Sequence, residues 1–499
     1  MKVRPFLALL PVLMMGAWAA EKPAKAPQSP NIILILVDDL GYGDLSCYDA
    51  ASGNRTPNIA RLAAEGMRFT NFYVSSSVCS PSRASLLTGC YHKRVGVDHV
   101  LWPASVVGLN PNETTIAEVL RERGYATDYV GKWHVGDQVE FLPTRQGFDS
   151  YFGLPYSHDM QSLLRVRKTE ETVLPVKVRA LPLYRDEKPI ALVTSVRSLT
   201  KRYRDEALEF ITAQHAAKRP FFLFLAHNAV HLPMQPSKEY RKGSGNGGLS
   251  DWLEEVDDGL GAILALVNSL GIDQQTLLLF LSDNGPAKGT RGSSGELRGG
   301  KHSTWDGGLK VPLMARWPGR VPAGKVCAQL TAGMDLLPTL AALAGADIGK
   351  LQIDGLDLSS LLLGKTEVSP RTSFVYYAAG RLAAVRDAKW KLHLRGPEGE
   401  PRMLFDLEND PGETKDVIAA QPDILAKLSA EAEEAVRLLG NGNQKGLLER
   451  PEGKISRLQP ISWALPMVRS EDDSDLPHEA GKAVALPEAA ARDPQPQIP

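Results

Sequence analysis

Three nearly uninterrupted apolar runs, residues 31–37, 220–226 and 276–282, have the length of β-strands and lack polar alternation. Such runs are typical of parallel strands that are buried on both faces. Further strands are predicted at residues 67–74, 125–130 and 311–317, and amphipathic helices at residues 57–66, 112–124, 202–215, 249–270 and 335–343. Pro57 suits a first helical turn, and Asn112 suits an N-cap. This alternation predicts an α/β fold with a large, mostly parallel sheet that is sandwiched by helices.

The chain length predicts two unequal domains, because 499 residues exceed what one hydrophobic core usually supports. The strand and helix pattern fills residues 31–365. Residues 366–450 begin with short alternating strands and end in a predicted helix at residues 422–439. Residues 451–499 are rich in proline and acidic residues, and we interpret them as an extended tail without a core of its own. Residues 163–190 are irregular and charged, which fits an insertion near a ligand entrance or a solvated hairpin.

The N-terminal residues predict export. Residues 1–20 have Lys2 and Arg4 ahead of a short apolar core and end in small residues, which is typical of a cleaved secretory signal. The core is shorter than the roughly 20 apolar residues that a membrane span needs. Residues 21–30 are interpreted as a linker. We therefore expect a periplasmic or extracellular protein without a stable membrane anchor.

The overall charge gives no indication of a polyanionic partner. The chain has 57 basic and 58 acidic residues, with a net charge of −1. A nucleic-acid partner is therefore not expected, and any anion binding must be local.

Carboxylates and an amide follow two of the apolar runs. Asp38 and Asp39 follow the first run, and Asp283 and Asn284 follow the third. Ligands bind at the carboxyl ends of strands in open α/β sheets, so these residues predict a metal site if the two strands lie close together. The alternative for each pair is a solvated turn.

The segment CSPSRASLLTG begins at Cys79 and predicts a helix with Pro81 in its first turn. A cysteine at a helix N-terminus is expected to have a lowered thiol pKa. The alternative is a small buried cysteine before an ordinary helix. The segment closely resembles the signature of type I sulfatases, in which a formylglycine-generating enzyme oxidises this cysteine to formylglycine.

Further segments resemble the same family in the same order. GYATDYVGKWH resembles the second sulfatase signature and carries Lys132 and His134. FGLPYSHD matches the loop whose serine contacts the sulfate, here Ser157. Taken singly, Lys132 and His134 also fit a snorkelling lysine and a core histidine.

The remaining matches lie in the second half of the chain. The resemblance places His231 on the substrate side and assigns Lys301 to a glycine-flanked lysine loop, which by itself could be a flexible loop. LFDLENDPGET resembles the C-terminal sulfatase subdomain, a small antiparallel sheet with a helix. The resemblance covers about residues 30–420, favours the arylsulfatase A-like branch and implies an alkaline phosphatase-like fold.

When the family's ligand positions are transferred to this sequence, the resemblance implies a metal site formed by Asp38, Asp39, Asp283 and Asn284, with modified Cys79 as a further ligand. Such an all-oxygen, anionic site suits Ca²⁺, with Mg²⁺ as the alternative, rather than zinc. If Cys79 is modified, at most one disulfide can form among the other cysteines, and the sequence does not select the pair. These other cysteines are Cys47, Cys90 and Cys327.

The resemblance also implies three proton transfers. Asp283 would accept the proton of the hydroxyl that attacks sulfur, and His231, together with Lys301, would protonate the departing alcohol. His134 would remove the proton of the second hydroxyl, which expels sulfate and restores the aldehyde.

Positive and polar groups would bind the sulfuryl oxygens as the S–O bond breaks. The resemblance assigns this task to Lys132, Lys301 and Ser157. Arg83 would hold the diol and compensate the acidic residues.

The expected activity is hydrolysis of sulfate monoesters, on a small or terminal sulfated saccharide and on aryl sulfates in assays. Two alternatives stay open. The first is a phosphomonoesterase or phosphonate hydrolase of the alkaline phosphatase superfamily, and the second is a non-catalytic sulfoglycan-binding protein.

Overall fold

A computed structural model describes residues 29–160, 164–167, 173–176, 180–396, 398–458 and 467–468. The predicted signal at residues 1–20, most of the linker and most of the tail lie outside the described residues.

The described residues contain α-helices and strands that are numbered here in chain order. The helices are α1 (Pro57–Glu65), α2 (Cys79–Thr88), α3 (Ile116–Arg121), α4 (Leu199–Ala217), α5 (Gly248–Ser269), α6 (Asp306–Leu309), α7 (Leu336–Ala344), α8 (Ser359–Leu362) and α9 (Pro422–Leu439). The strands are β1 (Asn31–Val37), β2 (Met67–Phe69), β3 (Phe72–Tyr73), β4 (Val107–Gly108), β5 (Ala126–Gly131), β6 (Ser150–Gly153), β7 (Leu164–Arg167), β8 (Val173–Val176), β9 (Leu181–Arg185), β10 (Lys188–Val193), β11 (Phe221–Ala226), β12 (Thr276–Ser282), β13 (Leu313–Arg316), β14 (Lys325–Cys327), β15 (Thr331–Ala332), β16 (Ser373–Ala378), β17 (Arg381–Asp387), β18 (Trp390–His393), β19 (Met403–Asp406), β20 (Gly440–Asn441), β21 (Gln444–Lys445), β22 (Gly453–Lys454) and β23 (Met467–Val468).

The main sheet has the order β14-β2-β13-β12-β1-β11-β5-β6-β9-β10-β23. Its five central strands, β12, β1, β11, β5 and β6, are parallel, whereas antiparallel pairs flank them. β1 runs beside β12 from Asn31 opposite Thr276 to Val37 opposite Ser282. The predicted fold class is confirmed, because the sheet is large, mostly parallel and covered by helices.

The side chains of β1 point alternately into two hydrophobic cores, which explains why its sequence is apolar throughout. Ile32, Leu34 and Leu36 belong to the core that also contains residues of α2, α3 and α7, whereas Ile33 and Ile35 belong to the core with α1, α4 and α5. Successive side chains of a strand point to opposite faces. Both faces of β1 are therefore covered, and burial of each aliphatic side chain contributes roughly 1.5–3 kcal/mol.

A second sheet, with the order β16-β17-β18-β19, is antiparallel throughout. Helix α9 packs against β17 and β18. This sheet confirms the smaller antiparallel unit that the sequence predicts after the main sheet.

Several predicted elements differ in detail. The strand predicted at residues 67–74 is two strands, because β2 pairs with β13 and β14 whereas β3 pairs with β15. Helix α3 begins later than predicted, since Thr115 rather than Asn112 caps it. The Thr115 hydroxyl accepts a hydrogen bond from the Glu118 N–H at 3.3 Å, and Glu118 Oε2 accepts one from the Thr115 N–H at 2.8 Å.

Two other stretches are more ordered than the sequence indicates. In the segment at residues 163–190, β9 and the start of β10 form an antiparallel pair, as in the hairpin alternative, but both strands join the main sheet instead of standing alone at the surface. Within the predicted tail, β22 pairs with β4 and β23 pairs with β10. All four cysteines are free. Among the described residues, no helix combines the length and apolar character needed to cross a bilayer.

Candidate active site

The carboxyl ends of the five parallel strands bring the predicted polar residues to one edge of the sheet. β1 and β12 are direct neighbours, so the two acidic strand ends meet as expected. The residues that follow these ends are Asp38 and Asp39 after β1, Asp283 and Asn284 after β12, His231 after β11, Lys132 after β5 and Ser157 after β6. At the end of β5 the backbone passes so close to the end of β11 that only glycine fits. A Cβ on Gly131 would lie 1.8 Å from the Ala226 carbonyl oxygen.

Cys79 lies beside the acidic residues. Its Sγ is 3.5 Å from Asp38 Oδ1. The Asp39 N–H donates to Asp283 Oδ1 at 3.2 Å, and Asn284 Nδ2 donates to Asp39 Oδ1 at 2.7 Å. All five side chains are buried, so the predicted metal residues and the cysteine share one enclosed site.

The side chains here form a group that can hold a metal ion. Candidate ligand atoms of Asp38, Asp39, Cys79 and His231 all lie within 4.8 Å of one another. Asn284 Oδ1 is buried and has no hydrogen-bond partner among the described residues. An unpartnered buried oxygen is costly, and a bound cation would satisfy it. His231, which the sequence assigned to the substrate side, therefore also lies within reach of the predicted metal.

Three cations surround these carboxylates. Lys132 Nζ forms an ion pair with Asp38 and donates to Ser157 Oγ at 3.1 Å. Lys301 Nζ lies 2.7 Å from Asp39 Oδ1. Arg83 donates from Nε to Asp283 Oδ2 at 2.9 Å and lies 3.6 Å from Asp38.

The charges shift several pKa values. Burial alone would raise the pKa of Asp38, but Lys132 and His231 outweigh it and hold that pKa well below its usual range. Burial, reinforced by Asp38, raises the pKa of Asp283 to about 6. Burial opposes the charge of Lys301, yet Cys79 and Asp39 raise its pKa.

The prediction of a lowered thiol pKa is wrong for the unmodified chain. Helix α2 does begin at Cys79, but the residue is buried, and burial with the neighbouring Asp38 raises the thiol pKa to about 12. The positive end of the helix is outweighed by desolvation and by a carboxylate at contact distance. The thiol is therefore protonated and a poor nucleophile at neutral pH.

Two histidines have tautomers that their contacts define. His134 Nε2 lies 3.1 Å from the Leu101 carbonyl oxygen, which only accepts, so Nε2 carries the proton. Nδ1 then keeps its lone pair, and it is buried without a hydrogen-bond partner among the described residues. Burial and Lys132 hold the pKa of His134 well below its usual range. In His231, Nδ1 faces the Leu232 carbonyl oxygen at 2.5 Å, which leaves Nε2 free to face Asp39 at 3.7 Å.

Three non-glycine residues here adopt positive φ angles. These angles are 60° at Asp39, 67° at His134 and 70° at His302, which follows Lys301. Such conformations are disfavoured for residues with a Cβ and persist where surrounding contacts enforce them, often at functional sites.

The sequence missed the residues that orient this site. The Leu101 carbonyl oxygen accepts a hydrogen bond from His134 Nε2–H at 3.1 Å, and the Leu101 N–H donates to Ser80 Oγ at 3.0 Å. A backbone contact leaves no signature in residue type, so no sequence signal could have identified it.

Comparison with known proteins shows which family the chain resembles. The family model described as Sulfatase matches residues 30–346, and that of the N-sulphoglucosamine sulphohydrolase C-terminal region matches residues 300–437. Human arylsulfatase A is 39% identical over 444 residues, which are 80% of this chain and 86% of that protein. N-acetylgalactosamine-6-sulfatase from Canis lupus familiaris is 41% identical over 404 residues, 77% of this chain and 75% of that protein. The crystal structure of Ps i-CgsB in complex with k-i-k-neocarrahexaose superposes with a TM-score of 0.73 at 30% identity, over 84% of this chain and 95% of that chain.

Proposed function

Since the chain belongs to the sulfatase family and is a sulfuric ester hydrolase, we propose that its nucleophile derives from a formylglycine made from Cys79 and that its substrate is a sulfated saccharide. The observation that carries this proposal is the 3.5 Å separation of Cys79 Sγ from Asp38, inside a buried ring of carboxylates and cations. An unmodified thiol with a raised pKa would be a weak nucleophile there.

Two groups would complete the site. Ca²⁺, or Mg²⁺ in its place, would be held by Asp38, Asp39, Asp283 and Asn284, where it would supply positive charge next to the nucleophile and the sulfate. Formylglycine would supply a hydrated aldehyde with one hydroxyl for attack and a second one for release of sulfate. The proposal therefore includes a formylglycine-generating enzyme as the maturation partner.

The chain's own cations would bind the sulfuryl group. Lys132 Nζ is hydrogen-bonded to Ser157 Oγ at 3.1 Å, and Lys301 Nζ contacts a different carboxylate, that of Asp39, so we propose that their donors reach different oxygens of one sulfuryl group. Arg83 would balance the charge of Asp38 and Asp283 and keep these carboxylates in place. Donors fixed in this way stabilise charge that develops as the S–O bond breaks.

Three side chains would move protons. Asp283 would accept the proton of the attacking hydroxyl. His231 would protonate the leaving alcohol from its imidazolium form, in which Nδ1–H donates to the Leu232 carbonyl oxygen and Nε2 carries the second, transferable proton. His134 would act as the base for sulfate release, because its free Nδ1 and lowered pKa keep it ready to accept a proton at neutral pH.

We propose a small or terminal sulfated saccharide as substrate and an exported enzyme. The relatives include an N-acetylgalactosamine-6-sulfatase and a structure in complex with a neocarrahexaose, which favours carbohydrate over other sulfate esters. The net charge of −1 disfavours a long polyanion groove.

The test compares Cys79→Ala and Cys79→Ser with Cys47→Ala, a cysteine outside the site, after expression with the maturation enzyme. Both Cys79 variants should lose turnover of an aryl sulfate, whereas Cys47→Ala should keep it. Near-normal sulfate release by Cys79→Ala would refute the proposed nucleophile. The phosphate ester of the same aryl alcohol, measured in parallel, should be turned over more slowly than the sulfate ester if the phosphomonoesterase alternative is wrong.

A further inference from the structure

The conspicuous C-terminal motif LFDLENDPGET has no part in the chemistry described so far. Its Glu413 is nevertheless fully buried. The Glu413 carbonyl oxygen accepts a hydrogen bond from Arg298 Nη1 at 3.1 Å, and its Oε2 accepts one from the Asp306 N–H at 2.7 Å. Arg298 and Asp306 lie on either side of Lys301 in the chain. One glutamate of the smaller sheet's region therefore holds both ends of the segment that carries Lys301.

Lys391 of β18 holds the same segment from the same side. It is fully buried, and its Nζ donates to the Thr304 carbonyl oxygen at 2.9 Å and to Asp306 Oδ1 at 2.7 Å. It also lies 2.8 Å from Glu413 Oε1. These contacts begin three residues after Lys301.

Asp306 connects this network to the segment that precedes Cys79. Its carboxylate accepts hydrogen bonds from Tyr73 at 2.5 Å and from Tyr376 at 3.0 Å. Tyr73 ends β3, six positions before Cys79 in the chain. The same buried carboxylate thus contacts the chain that leads to Cys79 and the smaller sheet.

The Lys301 segment is held in part by its own hydrogen bonds, since the Gly307 N–H donates to the Arg298 carbonyl oxygen at 2.8 Å and the Ser303 N–H donates to the Gly300 carbonyl oxygen at 3.1 Å. It is rich in glycine, which loses more backbone freedom on ordering than other residues. The Lys301 N–H donates to the Pro286 carbonyl oxygen at 2.9 Å, and the next N–H, that of His302, donates to the Ser77 carbonyl oxygen at 3.1 Å. The contacts of Glu413 and Lys391 add anchors from the region of the smaller sheet, beside the hydrogen bond from Tyr376 to Asp306.

We propose that Glu413 and Lys391 are positioning residues that set the distance of Lys301 from the sulfuryl group and the leaving oxygen. This inference rests on the proposed function, because it takes Lys301 to act on the substrate. It gives the smaller sheet a part in catalysis without any contact to substrate. Misplacement of a reacting group by about 1 Å can cost on the order of 100-fold in rate, so loosened anchors should be measurable.

The test is a double-mutant cycle between Glu413→Gln and Lys301→Met in the mature enzyme, with aryl sulfates of different leaving-group pKa. Glu413→Gln should lower kcat about tenfold to 100-fold while KM changes much less. Its rate should depend more steeply on leaving-group pKa, because assistance to the departing oxygen is weakened. In the Lys301→Met background, the same substitution should cause little further loss. Glu408→Gln, an exposed glutamate of the same motif, is the matched control and should leave kcat unchanged.

Arg298→Met provides a second variant that spares the buried ion network, and it should give a smaller loss that also disappears in the Lys301→Met background. Thermal unfolding of each variant confirms that it is folded. Losses from Glu413→Gln or Arg298→Met that add fully to the loss from Lys301→Met, with an unchanged leaving-group dependence, would overturn the positioning role. A Lys301→Met enzyme with wild-type kinetics would instead refute the role of Lys301 in the proposed function.

Discussion

Replacement of Lys391 by methionine should destabilise the protein strongly, because it removes a cation that is surrounded by fixed acceptors. Lys391 is fully buried and contacts Asp306 at 2.7 Å and Glu413 at 2.8 Å. Methionine would preserve most of the volume but leave two buried carboxylates without this partner. Loss of one partner from a buried charge network costs about 3–5 kcal/mol. At about 2 °C per kcal/mol for a large domain, Tm should fall by roughly 6–10 °C.

The matched control is Lys389→Met, which changes a lysine just before the same strand. Lys389 is 39% exposed and pairs with Asp406 at 3.3 Å and Glu408 at 3.2 Å. Exposed pairs contribute about 1 kcal/mol or less, so its Tm should stay within about 2 °C of the wild type. Differential scanning calorimetry of the three proteins at one scan rate provides the comparison. A Lys391→Met protein as stable as the Lys389→Met control would show that Lys391 does not stabilise the buried carboxylates of Asp306 and Glu413.

The pH dependence of this difference has a defined sign. Burial would raise the pKa of Asp306, but Lys391 and Arg386 outweigh it and hold that pKa below its usual range. A carboxyl with a lowered folded-state pKa contributes stability above its unfolded pKa of about 3.9, and this contribution is lost as the pH falls toward the folded-state value. The Tm difference between wild type and Lys391→Met should therefore narrow below about pH 4. A difference that widens on acidification would contradict the assigned charge state.

Other expected outcomes concern the site and one helix. Lys301→Met should lower kcat by about 100-fold or more, whereas Lys288→Met, at an exposed lysine of the same loop, should not; equal losses would contradict a direct role. Chelation of divalent ions should abolish turnover and lower Tm, with recovery of both on addition of Ca²⁺, and an unchanged Tm would argue against the cation. Thr115→Ala should destabilise the protein by about 1 kcal/mol in urea unfolding through loss of the α3 cap, and an unchanged midpoint would show that the cap contributes nothing.

The parts of the site that could be predicted are those that short, continuous stretches of sequence determine. The apolar runs before Asp38 and Asp283 indicate buried parallel strands, and acidic residues at their ends indicate where a ligand binds. The acidic residues at the two strand ends lie close together because β1 and β12 are neighbours in the sheet. The cysteine segment is similarly local, because a proline in the first turn marks the start of α2.

The parts that could not be predicted depend on contacts between distant residues. The raised pKa of Cys79 comes from burial and from Asp38, which is 41 positions away in the chain. A helix N-terminus alone indicates the opposite shift. Glu413 and Asp306 are separated by 107 positions in the chain, and the sequence around neither residue indicates that the two are in contact. Propensity and pattern report local structure, whereas these effects arise from tertiary packing.

The proposed nucleophile derives from an aldehyde that is made from Cys79. Tandem mass spectrometry of the peptide that contains Cys79 measures it most directly, on enzyme preparations made with different amounts of the maturation enzyme. We expect a peptide in which an aldehyde replaces the thiol, with turnover per molecule proportional to the fraction converted. Full sulfatase activity from preparations in which Cys79 is entirely an unmodified thiol would contradict this expectation.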